Sequence, residues 1–477
     1  MRQVQARASG ILSTMRRSIL SLAPLTLCVL AAFACDDVTV ANLDPLDLDA
    51  GNLDAFVPPV PAVDAGDAGE DASLPAATVT ILGSAASRTG VEIVFGGADG
   101  AVVSTAKTDA SGRVTVPAGA VTVTALLKNE QTYSLVTWTG VKLGDTLTTR
   151  ALEPVENGTL VGTYDVALDN APGGSRFFVM EASSVCRTQQ SVEPGLTGQV
   201  DVRPPCVFGT TSALLASQYT NATSGEMLAY AFKKGLALPA ASTGVTLDTW
   251  VNPVKATLTA TNVPVDAYLD ATFMEIAGGA PFHRQSKSVD VETGARFDTV
   301  PGFADAVQVG VEVNGGQNSH GTVIVRAANA AGLTVDLGSL LPQLVVNEPS
   351  GADRTRPTVT WTGDTSQTAG GVIRIPFVGA EANANYTWTI LVPPGSSTVT
   401  APALPADAAA FLPVTDAPVL YASGSFVAGP GLTPDILRAA AFASLEVTSD
   451  NVEATIIATP MPANGVYRLM TSRPLPP

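Results

Sequence analysis

From about residue 77 to the end, apolar and polar residues alternate with a period of two rather than 3.6. Val91, Ile93 and Phe95 alternate, a Gly-Ala-Asp-Gly turn follows at Gly97–Gly100, and Val102 and Val103 resume the apolar set. Val114 and Val116, then Val121 and Val123, continue the same rhythm after a second turn. Alternation of this kind gives a strand one buried and one wet face, so the spacing predicts many short β-strands. The one helical signal is Thr433-Pro434-Asp435 ahead of Ile436–Phe442. There Thr caps, Pro suits the first helical position and Asp faces the positive end of the helix dipole.

The alternation also repeats. Thr159–Ala182, ending in Met-Glu-Ala, parallels Thr257–Gly278, which carries Met-Glu-Ile at the matching place. Gly198–Pro204 (GQVDVRP) parallels Gly294–Pro301 (GARFDTVP) with one insertion, and Gly112–Pro117 (GRVTVP) has the same shape. Thr358–Thr362 (TVTWT) echoes Leu135–Thr139 (LVTWT), and Tyr386–Pro393 continues in the same style. The expected fold class is all-β, with tandem immunoglobulin-like β-sandwiches at 77–150, 151–250, 251–344 and 345–477, the last carrying the short helix.

Two segments break the pattern at the N-terminus. Arg16 and Arg17 precede the apolar run Leu22–Ala34, which ends Ala32-Phe33-Ala34 before Cys35. A basic start, a short apolar run and a small-residue end read as a secretory signal over 1–34, and Met15 makes a better start than Met1. Placement of Cys35 directly after the cleavage point resembles bacterial lipoproteins, which implies a diacylglyceryl anchor on its thiol. The alternative is ordinary cleavage after Ala34 and release of a secreted protein. Residues 35–76 would then be the anchor and tether. Asp36–Ser73 is rich in Asp, Ala, Gly and Pro and has no Lys or Arg, so it would stay extended and unpacked. Calcium binding by its aspartates fails the EF-hand spacing, because Asp47 and Asp49 lack the Gly and closing Glu.

Composition narrows the function. Charged residues are 14% of the 477, against roughly 25% in an average domain, as suits a chain of small β modules and turns. Net charge is −17, which offers no basic face for nucleic acid. Of the four cysteines, Cys28 would leave with the signal and Cys35 carry the lipid. Cys186 and Cys206 remain, and in an exported segment they favour a disulfide worth about 3 kcal/mol by chain entropy. Zinc is the rival, but two thiolates with no nearby third ligand make a poor site.

The most informative local motif is Thr108-Asp109-Ala110-Ser111-Gly112-Arg113. Asp109 can accept from amides two residues on, and Gly112 can take positive φ, which predicts a hairpin-like turn. Together with Gly90–Phe95 and Val121–Ala125 it resembles the carboxypeptidase regulatory-like family over about 75 residues. That resemblance implies a small prealbumin-type sandwich, without catalytic residues of its own, serving as spacer, stabiliser or carbohydrate-binding-like module.

No catalytic constellation is legible. The two histidines, His283 and His320, lie in what read as turn and polar-loop contexts without acidic neighbours, and solvated side chains are expected. Nucleophile-elbow, zinc-protease and phosphate-loop motifs are absent, and no cofactor or metal is nominated. Trp138, Trp250, Trp361 and Trp388 are expected to be core residues of their modules, sugar-stacking platforms being the alternative. The resulting expectation is a non-enzymatic envelope lipoprotein, held to the membrane by its lipid, serving surface structure or adhesion. A carbohydrate-binding protein meeting polysaccharide and a hydrolase with no recognisable motif are the alternatives.

Overall fold

The computed structural model describes residues 74–152, 160–173, 177–184, 186–190, 197–203, 210–220, 226–314, 319–351, 353–381, 384–414, 421–439 and 463–472. The signal, Cys35, the acidic tether and Cys206 lie outside them.

Nearly every described segment is a strand. The first stretch holds β1 (Thr78–Leu82), β2 (Glu92–Gly96), β3 (Val102–Lys107), β4 (Arg113–Thr115), β5 (Thr122–Lys128), β6 (Thr132–Thr139) and β7 (Thr146–Arg150). The second holds β8 (Gly162–Leu168), β9 (Phe177–Glu181), β10 (Arg187–Gln190), β11 (Thr197–Val202), β12 (Thr211–Tyr219), β13 (Met227–Ala237) and β14 (Ser242–Leu247). The third holds β15 (Val254–Thr261), β16 (Tyr268–Ala277), β17 (Ala280–Ser288), β18 (Ala295–Thr299), β19 (Ala306–Asn314), β20 (Ser319–Ala327) and β21 (Leu333–Asp336). The fourth holds β22 (Val345–Val346), β23 (Thr358–Thr362), β24 (Gly370–Phe377), β25 (Asn385–Val392), β26 (Thr398–Thr400), β27 (Ser423–Ala428) and β28 (Gly465–Ser472). A one-turn helix α1 (Ala85–Arg88) and the short α2 (Pro434–Ala439) are the α-helices among the described residues.

The first three stretches share one plan. Each opens with a strand that pairs antiparallel on one side and parallel, with the last strand of its stretch, on the other: β4-β1-β7, β11-β8-β14 and β18-β15-β21. Against this small sheet lies a four-strand array, β3-β2-β5-β6, β10-β9-β12-β13 or β17-β16-β19-β20. The sequence repeat therefore marks equivalent strands: Gly112 and Gly294 directly precede β4 and β18, and Gly198 is the second residue of β11. In the fourth stretch, β23 and β26 take the places of β1 and β4, and β24, β25, β27 and β28 form the larger array. The molecule is all-β and built of sandwiches.

The arrangement between sandwiches departs from beads on a string. Three of the four larger arrays join edge to edge in one twelve-stranded sheet, β17-β16-β19-β20-β28-β27-β24-β25-β6-β5-β2-β3. The first joins the fourth where β6 runs parallel to β25, from Thr132↔Asn385 to Trp138↔Leu391. The fourth joins the third where β20 runs antiparallel to β28, from Ser319↔Ser472 to Arg326↔Gly465. Pairing in this way covers the edges of β6, β25, β20 and β28, which would otherwise invite aggregation, and leaves β17 and β3 at the ends of the sheet.

At the seams both strand faces are buried. In β6, Tyr133 and Leu135 pack into the fourth sandwich with Trp388 and Trp361, while Val136 and Trp138 pack into the first with Phe95 and Leu147. Trp388 Nε1 donates to Thr137 Oγ1 at 2.9 Å across the seam, and the Tyr133 and Tyr386 rings stack at 4.6 Å. Trp138, Trp361 and Trp388 are thus core residues, as expected; Trp250 is half-buried against Phe178. Helix α2 forms where its cap predicts, Ile436 N donating to Thr433 Oγ1 at 3.2 Å. Its Arg438 reaches back to the first sandwich, to Asp145 Oδ2 at 2.8 Å and the carbonyls of Gly140 and Thr139 at 2.8 and 3.1 Å.

Candidate functional site

The Thr108–Arg113 motif forms the turn its residues predict. Asp109 Oδ1 accepts from Ser111 N at 2.8 Å, Ser111 Oγ at 2.6 Å and Arg113 N at 2.9 Å. The Ser111 hydroxyl bond is the largest influence holding its carboxyl below the usual range. Buried Thr108 donates to the Arg88 carbonyl at 2.6 Å and accepts from Val91 N at 2.9 Å. Gly112 has φ +77, and a Cβ there would sit 2.3 Å from the Ile81 carbonyl oxygen. In the third sandwich Asp290 and Gly294 repeat the device: Asp290 Oδ1 accepts from Glu292 N and Thr293 N at 3.0 and 2.7 Å, and Gly294 has φ +73. Both motifs are fold-forming turns; no ligand-directed group is gathered at either.

The two histidines are placed otherwise than expected. His320 is not in a loop but in β20, half-buried, with Nδ1 3.3 Å from Glu312 Oε1 on the neighbouring strand. His283 is not a solvated turn residue but a buried member of β17, 3% exposed. The sequence-based expectation failed because Glu275 and Glu312 face the histidines only through cross-strand pairing, and Glu181 comes from another sandwich. The register of β17 on β16 slips between Phe273↔Gln285 and Glu275↔Phe282, so His283 and Arg284 together oppose Met274. This β-bulge puts His283 at φ +50, a backbone region that non-glycine residues occupy at a cost and that is enriched at special sites.

Around that bulge lies the cluster of buried ionisable groups that the sequence reading missed. His283 Nδ1 is 3.0 Å from Glu275 Oε2, and Glu275 Oε1 accepts from Val300 N at 2.8 Å. Glu181 Oε2, from the second sandwich, accepts from His283 N at 2.9 Å. Glu181 and Glu275 are 4% and 1% exposed. Burial is the first cause that pushes the Glu181 carboxyl above its usual range, with the Glu275 charge adding to it and His283 and Arg187 opposing. Tyr219, from β12, is pushed up too, by burial and then by the charges of Glu181 and Asp298. His283 Nε2 is buried without a hydrogen-bond partner among the described residues.

A signal for this cluster was in the sequence. Glu181 and Glu275 are the glutamates of the repeated Met-Glu-Ala and Met-Glu-Ile endings, and they end equivalent stretches of the equivalent strands β9 and β16. A charged residue kept at matching inward places of two β modules is unusual enough to mark.

The joint that holds the cluster is otherwise apolar. Ala213, Leu215, Met227 and Tyr230 of the second sandwich pack on Ala277, Ala280, Phe282, Val300 and Phe303 of the third. Ser184 N donates to the Pro281 carbonyl at 2.7 Å, and Lys234 Nζ pairs with Asp305 Oδ1 at 2.7 Å at the rim. A cleft of about 80 Å³ beside that ion pair is small against the roughly 300 Å³ and more of most small-molecule sites. A shallow groove of about 290 Å³ runs beside Lys128 and Phe411. No group of three or more His, Cys, Asp or Glu side chains is placed to hold a metal ion among the described residues. Cys186 is buried in the core of the second sandwich, with Arg203 N donating to its sulfur at 3.3 Å. No helix among the described residues is long and apolar enough to cross a membrane.

No family model matches the chain and no curated protein matches it. Among solved structures, the Bacillus anthracis TIE protein is 10% identical over 55% of this chain and 49% of its own, with a TM-score of 0.14. A tetra-tandem repeat from the extending region of a large adhesion protein is 12% identical over 74% of this chain and 95% of its own, with a TM-score of 0.13. The chain spans about half the length of the TIE protein. Superpositions this poor carry no argument about function.

Proposed function

We propose that the protein is a non-enzymatic lipoprotein of the cell envelope, anchored through Cys35, that presents its β-sandwiches for surface structure or adhesion. The observation that carries this reading is the twelve-stranded sheet. It fuses three sandwiches into one stiff body, a build suited to holding a surface at a fixed distance and orientation. Rigid strands with tolerant end loops are a usual platform for recognition. The export signal and the acidic segment after it support the same reading by supplying an address and a tether. A carbohydrate-binding role would rest on exposed loops or aromatics, and three of the four tryptophans are core residues.

The anchor is tested by detergent-phase partitioning: the wild type enters the detergent phase and Cys35→Ser moves it to the aqueous phase. A wild type that already partitions as soluble sinks the anchor and leaves simple secretion. Within the second sandwich we assign Cys186 and Cys206 to one disulfide, and non-reducing peptide mapping that finds both thiols free would reject it. Turnover of a peptide, ester or glycan by the purified protein would reject the non-enzymatic reading, and an array of polysaccharides separates adhesion to glycan from adhesion to protein.

A further inference from the structure

The second sandwich stands outside the twelve-stranded sheet; among the described residues its strands pair with one another. It is held to the third by the apolar joint, by backbone amides that donate across it, His283 N to Glu181 and Ser184 N to Pro281, and by rim contacts of Lys234 with Phe303 O and Asp305 and of Lys255 with Glu226. Glu181 and His283 meet across that joint, with Glu275 beside them, and the three are 4%, 3% and 1% exposed. Two carboxylates in so dry a space repel each other and have lost their hydration, so retaining a proton is the inexpensive state. The groups that face Glu181 are His283 from β17, Arg187 from β10, Glu275 from β16 and Tyr219 from β12. Behind them, Asp298 from β18 pairs with Lys255 from β15, which also meets Glu226, while Arg284 faces Arg187 and Tyr230 from β13 faces Glu275. His283, on the bulge at φ +50, links the two carboxyl groups: its backbone N donates to Glu181 Oε2 and its ring Nδ1 lies 3.0 Å from Glu275 Oε2.

We propose that this joint is a proton-set latch. With the Glu181 carboxyl protonated against His283 and Glu275, the second sandwich is locked on the third; loss of that proton loosens the contact while both sandwiches stay folded. The inference is independent of what the surface binds.

The sign follows from burial. Glu181 is held above the ordinary glutamate value of 4.5, so the folded joint keeps a proton that an open joint would release. The stabilisation is complete below that ordinary value and is lost as pH rises through the raised one. Hydrogen exchange on the full chain reads it at the His283 and Ser184 amides, which span the joint, with Val309 in the core of the third sandwich as control. After correction for intrinsic rates, protection at His283 and Ser184 should fall with rising pH by up to about tenfold per unit across the window, one proton's worth of linkage, while Val309 holds level. Glu181→Gln keeps an acceptor oxygen but cannot titrate, and should flatten the dependence. Glu275→Gln removes the neighbouring charge and should move the window to lower pH. Equal pH slopes in the wild type and Glu181→Gln, or a Val309 amide that loses protection in step with His283, would overturn the latch.

Discussion

At the scale of single residues, the turn glycines separate two costs that sequence alone merges. Gly112 and Gly119 both have positive φ, +77 and +84. A Cβ at Gly112 would strike the Ile81 carbonyl, whereas at Gly119 there is nothing within 4 Å. Gly119→Ala should therefore cost only the backbone preference, about 1 kcal/mol, and Gly112→Ala should cost about 2 kcal/mol or more. Urea midpoints of the two variants check this, and equal losses would show that the carbonyl contact is relieved freely. The Asp109 and Gly112 roles were legible because an Asx turn is local and its partners lie within four residues. His283 was not legible: what makes it buried and paired is Glu275 on the adjacent strand and Glu181 in another sandwich, neither visible as a neighbour in the chain. His283→Ala would leave Glu275 Oε2 buried without its ring partner, a loss of about 1–3 kcal/mol. His320, half-buried at a hairpin end, should tolerate the same change with a smaller shift in thermal midpoint.

At the scale of elements, the strands themselves were readable, since period-two alternation is enforced by the two faces of each sheet. The cap of α2 was readable for the same local reason, and the destination of the helix was not. Arg438 is 10% exposed and its partner Asp145 8%, so the helix works as a bolt from the fourth sandwich into the β6–β7 corner of the first. Removing one member of so buried a pair strands the other charge. Arg438→Ala should destabilise by about 3–5 kcal/mol, well beyond the roughly 1 kcal/mol expected for the exposed cap change Thr433→Ala. Chemical denaturation of the two variants orders them, and a larger loss from Thr433→Ala would remove the bolt from the account.

At the scale of the whole molecule, the seams are what sequence reading lacked. Tandem sandwiches and their approximate spacing can be inferred from repeated patterns, but edge pairing between distant strands leaves no periodic mark. The nearest hint is that β6 and β25 carry apolar residues on both faces, YSLVTWT and YTWTILV, where a free-standing sandwich would leave one face wet. That doubled burial follows from the seam, because each of these strands closes two cores at once. Cooperativity should follow the same map. Amides in β5, β6, β25, β24, β27, β28 and β20 belong to one continuous ladder and should open together at the highest free energy, in one exchange step. Strands β8, β11 and β14 belong to the sandwich outside the ladder and should exchange in a separate, lower step. Native-state hydrogen exchange in rising denaturant resolves the two. If β6 and β20 opened at distinct denaturant concentrations, the seams would be weak contacts between independent modules, and the stiff platform behind the proposed surface role would be lost with them.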